Sequence, residues 1–189
     1  MIMSSGASRP PSPAVRVPDR TTASDPGPVV GTLALIVGLS AGVLAVAGSF
    51  LPYNTATWVV DGEIQSVTGT GWWADVNGQS AVAILDGIPL GVGALMLAAG
   101  VLWGAARPRA RRPATLLVGV GAGVVSGTVA YLWLTIEAMF RAADLALAAG
   151  TLDTSTFSIE IGSWTLLAAG VAALLAATLV LVPGRPVDN

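Results

Sequence analysis

Three side chains in this sequence have the types and spacing to do chemistry together: Asp86, Glu137 and Arg141. Asp86 interrupts an apolar run, Ala83-Ile84-Leu85-Asp86-Gly87-Ile88-Pro89. An ionised carboxylate in hydrocarbon is costly, so such a residue usually faces a bundle interior or a water-filled path. Glu137 and Arg141 stand at i, i+4 with the acid first, the favourable order for a helical ion pair. Two roles compete. In one, the three residues form a polar site open to the outside, binding a cation, a lipid headgroup or a partner's loop. In the other, Asp86 caps the second helix, satisfying free amides at its positive dipole end. Pro89 fits the second role, because proline is tolerated in a first helical turn.

The residue types that are missing narrow the chemistry further. The chain has neither cysteine nor histidine. Disulfides, iron–sulfur clusters and thiol nucleophiles are excluded. The commonest zinc and haem ligand and the usual neutral-pH base are absent too. No nucleophile–base pair or cluster of metal-binding acids stands out. The expectation is a non-enzymatic chain without cofactor or metal. A net charge of −2 gives nucleic acid no footing.

Composition says what must position these residues. Of 189 residues 53% are hydrophobic and only 11% charged, against about 25% charged in soluble domains. Four apolar stretches stand out, at about 29–51, 81–106, 114–139 and 161–182. Each suffices to cross a bilayer, which takes about 20 apolar residues. The predicted fold is an all-α integral membrane protein, a four-helix bundle over 29–183. Residues 1–28, rich in Pro, Ser and Ala, read as a disordered cytoplasmic leader, and 184–189 as a cytoplasmic tail. Cleavage after Leu44-Ala45-Val46-Ala47 as a signal peptide is the rival reading, disfavoured by the length of the apolar run. Asp86 lies about 28 Å along a helix from Ala105, near the outer boundary of a core about 30 Å thick. Glu137 sits at comparable depth.

Orientation follows from arginine, the only basic residue type present. Arg9, Arg16, Arg20, Arg107, Arg109, Arg111, Arg112 and Arg185 fall on one side, and Arg141 alone on the other. Basic residues stay cytoplasmic, so both termini are predicted inside and the two longer loops outside. Heavy use of Ala, Gly, Val and Arg fits a high-GC bacterial genome, which places the chain in a bacterial inner membrane.

In lipid, helices meet closely only where residues are small. Gly119, Gly123 and Gly127 form such a register on the third helix and are expected to contact another helix, in the bundle or in a partner. The fourth helix, mostly Ala, Leu and Val, is expected to be the most lipid-exposed. Tyr53, Trp58, Trp103, Trp133 and Trp164 read as an interfacial aromatic belt. A faint repeat links Asp86-Gly87 with Glu160-Ile161-Gly162.

The first outer loop predicts a β-hairpin, Thr57–Val60 and Glu63–Val67 about an Asp61-Gly62 turn, with Val59 opposite Ile64. Trp72 and Trp73 follow, to lie in headgroups, fold over the bundle or dock on a protein. The third helix is expected to continue outward to about 149, and Thr151–Ser158 to cross as a polar linker. Together these features predict a non-catalytic accessory or scaffold subunit of a membrane complex. Its partners would be other membrane subunits or itself, and lipids. A small homo-oligomeric transporter or channel is the alternative.

Overall fold

The computed structural model describes residues 28–83, 85–107 and 111–181. The expected leader and tail lie outside them. The chain is mostly helical, with four helices long and apolar enough to cross a membrane, plus a sheet. The helices are α1 (Pro28–Phe50), α2 (Gly87–Ala106), α3 (Arg111–Ala148) and α4 (Ile161–Leu181). The strands are β1 (Asn54–Val60), β2 (Glu63–Gly69), β3 (Trp73–Val76), β4 (Gln79–Ala83) and β5 (Thr154–Ile159).

The helices form a ring in which α1 packs most closely on α4 and α2 on α3, with the α1–α2 and α3–α4 contacts completing it. Small residues fill the interior: Ala41, Ala45, Ala122, Ala169, Ala173 and Ala176 are all buried, with Leu90 and Leu97 among them. Large side chains point outward, as at Leu95 (72% exposed) and Leu116 (70%). This distribution is the reverse of a water-soluble bundle, and it suits a lipid surround, where close backbone approach rather than the hydrophobic effect holds helices together.

The glycine register on α3 differs from the sequence reading. Gly119, Gly123 and Gly127 face outward, with nothing within 4 Å of a Cβ placed there. Gly121 makes the close approach instead, a Cβ there standing 2.6 Å from the Leu97 backbone nitrogen. The spacing fixes a face but not which way it points, and a residue only two positions away lies on the far side of a helix. Helix α4 shares the lowest burial with α1, yet one side of it is covered. Gly162, Ser163, Leu166, Ala169, Gly170, Ala173 and Ala176 are all buried.

The sheet corrects the all-α expectation. Its five strands run in the order β4-β3-β2-β1-β5, every pair antiparallel. The Asp61-Gly62 hairpin forms, both residues at positive φ (52° and 78°), with Val59 opposite Ile64. A second such turn at Asn77-Gly78 (53° and 79°) joins β3 to β4. Asn-Gly supplies the two positive-φ positions that this turn requires. The strand it launches takes residues 79–83, so α2 begins at Gly87 and not near 81. Thr151–Ser158 is no linker either: Thr154–Ile159 adds β5 to β1. Its Thr, Phe and Ile residues fit a strand, and β1 offers it a free edge.

Helix α3 has 38 residues, about 57 Å at 1.5 Å per residue, and so outruns a bilayer core. It ends where Gly150 (φ 72°) turns the chain, its N–H donating to the Leu147 carbonyl at 3.0 Å, as helix C-termini commonly do. The packing yields a test. Gly121→Val should cost about 1–3 kcal/mol by overpacking, read as a lower unfolding temperature in detergent. Gly123→Leu should leave the unfolding temperature of the isolated chain nearly unchanged. Equal losses from both would contradict this placement.

Candidate functional site

The polar residues gather where the bundle meets the sheet. A helix end leaves carbonyls free at its C-terminus and N–H groups free at its N-terminus. Here the end of α1 supplies the first, and the loop and two other helices supply the second. Ser49 O accepts from Gly71 N at 2.8 Å, and Gly71 O accepts from Gly87 N at 2.6 Å. Pro52 O accepts from Gly162 N at 2.9 Å. Tyr53 O accepts from Glu160 N at 3.1 Å and from the Ser163 hydroxyl at 2.6 Å. The faint repeat thus has a physical reading. Gly87 and Gly162 each open a helix against the segment that follows α1. A Cβ at Gly87 would strike the Trp72 ring, and one at Gly162 would strike the Pro52 carbonyl.

Trp72 folds over the bundle. Its indole N–H donates to the Ser49 hydroxyl at 3.1 Å, and its ring stacks on Phe50 at 5.4 Å. Thr70 fixes the turn, its hydroxyl oxygen accepting from the amides of Trp72 (3.2 Å) and Trp73 (3.1 Å). Trp73 points elsewhere and is 40% exposed. Trp133 and Trp164 meet edge to face at 5.9 Å.

Tyr53 belongs to the core, not to an interfacial belt, at 7% exposed. Burial first, and the Asp86 charge second, push its phenol from 10.0 up to about 12. Beside it, Asn54 is buried at 6% exposed. Its amide donates only to the Met139 sulfur at 3.9 Å, and its oxygen accepts no hydrogen bond.

Of the three acid–base candidates, only two are joined. Arg141 and Glu137 form an exposed ion pair on α3, the kind that contributes little in water. Asp86 is close enough to Tyr53 for its charge to be felt there, with no bond to that pair. It occupies the N-cap position of α2, yet its side chain makes no capping hydrogen bond. Its charge lies near Tyr53 and at the start of α2. Among the described residues no three acids gather as a metal site would need.

Sequence reasoning passed over Ser49, Asn54 and Ser163, and gave Tyr53 only an interfacial role. One signal was available: Pro52-Tyr53-Asn54 puts a phenol and an amide directly after an apolar helix. No known protein family and no curated protein matches the chain.

Titration tests the Asp86–Tyr53 relation. Removing a negative charge makes the phenolate easier to form. Asp86→Asn should therefore titrate Tyr53 at lower pH than the parent, though still above 10.0 because burial is the larger cause. Tyrosinate ultraviolet absorbance reads this, with Tyr53→Phe identifying the signal. Asp86→Ala should match Asp86→Asn in thermal stability, since no capping bond is lost; a clear penalty for Ala alone would restore the cap. Because folding raises this pKa, the contribution of Tyr53 to stability is complete below pH 10. It should fall as pH rises from 10 toward 12.

Proposed function

We propose that this chain is a multi-pass integral membrane subunit of a bacterial inner membrane, acting by binding other membrane proteins rather than by catalysis. Both termini and the turn at Arg107–Arg112 would be cytoplasmic, and the sheet external. The observation that carries the reading is the inverted packing, with small residues inside and long apolar ones outside. A helix ring of that kind is stable in lipid and sticky in water. A second support is the way the polar side chains at the junction are spent. Ser49, Thr70 and Ser163 hold backbone and indole groups in place, as a scaffold requires.

The transporter reading has less to draw on. Leu90, Leu97 and Ala169 are completely buried where a path through one copy would run. A pore would have to lie between copies, and its walls would be the apolar outer faces of the helices.

Reporter fusions at Val67 and Arg109 test the orientation. An external-type signal at Val67 and a cytoplasmic one at Arg109 are expected, and the reverse would overturn it. Gentle detergent extraction followed by native mass measurement tests the role. An unrelated membrane protein in fixed ratio is expected. A pure homo-oligomer that conducts or transports in vesicles would replace this reading with the alternative.

A further inference from the structure

The outward face of the sheet is the part of the molecule that no structural role absorbs. The pairing registers set Ser158, Thr55, Thr68 and Asp75 side by side across β5, β1, β2 and β3. The next row, two residues along, is Thr156, Thr57 and Ser66. The opposite face carries Asn54 and Phe157, which meet Met139 and Phe140 of α3 and so look toward the bundle. Side chains alternate along a strand, so the hydroxyl rows point away from it. Neighbours within a row stand about 4.8 Å apart and the rows about 6.8 Å apart. The Thr55 and Thr68 hydroxyl oxygens are 3.3 Å from each other. Trp73 precedes Asp75 by two residues on the same strand face and is 40% exposed. One oxygen of Asp75 is buried and accepts no hydrogen bond.

A face that had only to stay wet would suit long charged side chains, which also discourage sheets from pairing with one another. These two rows are short and, Asp75 apart, neutral. Threonine is stiff at χ1, so its hydroxyls are held in place before a ligand arrives and little freedom is lost on binding. Regularly spaced neutral donors and acceptors match a ligand with regularly spaced hydroxyls. An exposed indole suits the apolar C–H face of a sugar ring while its edge stays wet. The buried oxygen of Asp75 is out of a ligand's reach, so it is the other carboxylate oxygen that suits a hydroxyl donor.

We propose that the sheet face built by Thr55, Thr57, Ser66, Thr68, Trp73 and Asp75 binds a neutral polyhydroxylated chain, a glycan. The sugar ring stacks on Trp73, one of its hydroxyls donates to Asp75, and its further hydroxyls bond along the two rows. The single charge on this face is negative, so sulfated or phosphorylated chains are disfavoured. The site does not depend on the membrane orientation or on any protein partner.

The test applies the detergent-purified full chain to an array of neutral hexose and pentose oligosaccharides, with sulfated ones for comparison. Binding to at least one neutral oligosaccharide is expected, and weaker binding to its sulfated counterpart. Trp73→Ala should weaken it at least tenfold. The double change Thr57→Val, Thr156→Val removes two adjacent hydroxyls and keeps strand shape. It should weaken binding at least fivefold with the unfolding temperature unchanged. Ile64→Ala, beyond both rows, should have no effect. No binding to any neutral oligosaccharide would overturn the proposal. Tighter binding of the sulfated chains would overturn it too, as would affinity that survives both the Trp73 and the double threonine variants.

Discussion

The arrangement depends on how the backbone is satisfied at the end of α1. The carbonyls of Ser49, Pro52 and Tyr53 receive N–H groups from the β2–β3 turn and from the start of α4, and Gly71 passes the connection on to α2. Helix ends are costly to bury without partners. Joining the C-terminal end of one helix to the N-terminal ends of two others meets that demand without water. It also fixes the spacing of three helices at one level. Glycine at positions 71, 87 and 162 is a consequence, because the donors must approach closer than a side chain would permit. Trp72 closes the junction from above, tied to Ser49 and stacked on Phe50.

Below this level the bundle follows the logic of lipid. Hydrocarbon tails are as apolar as leucine, so long side chains gain nothing by turning inward. Contact between backbones does gain dispersion energy, and alanine and glycine permit it. Gly121 lies on the backbone of α2 at Leu97, while Ala169, Ala173 and Ala176 line the buried side of α4. The leucines of the outer surface, such as Leu95 and Leu116, remain free to meet a fluid surround.

Above the junction the sheet works as a platform. Its inner face is pinned by Phe157 against Phe140 and by Asn54 beside Met139. The long α3 reaches past the bundle to provide that backing. β5 joins the segment before α4 to the hairpin after α1, so the two longer loops form one sheet. A lone hairpin would be marginal in water; five strands backed by a helix are not.

The four apolar helices were legible in the chain, because span length and composition are local properties. So were the Asp61-Gly62 turn and its register, since the demand for two positive-φ residues is met within the turn. The Asn77-Gly78 turn was equally legible, but the apolar run from Ala81 read more strongly as helix. That Thr154–Ile159 is a strand came from the fold alone, because its pairing partner is β1, about a hundred residues earlier in the chain. The direction of the α3 glycines was likewise undecidable from spacing, which is the same whether a face meets a helix or lipid. Asp86 shows the division most clearly. Its place at a helix start was readable from Pro89. That it makes no capping bond and lies near Tyr53 was set by the fold, which carries residues 53 and 86 to the same end of the bundle.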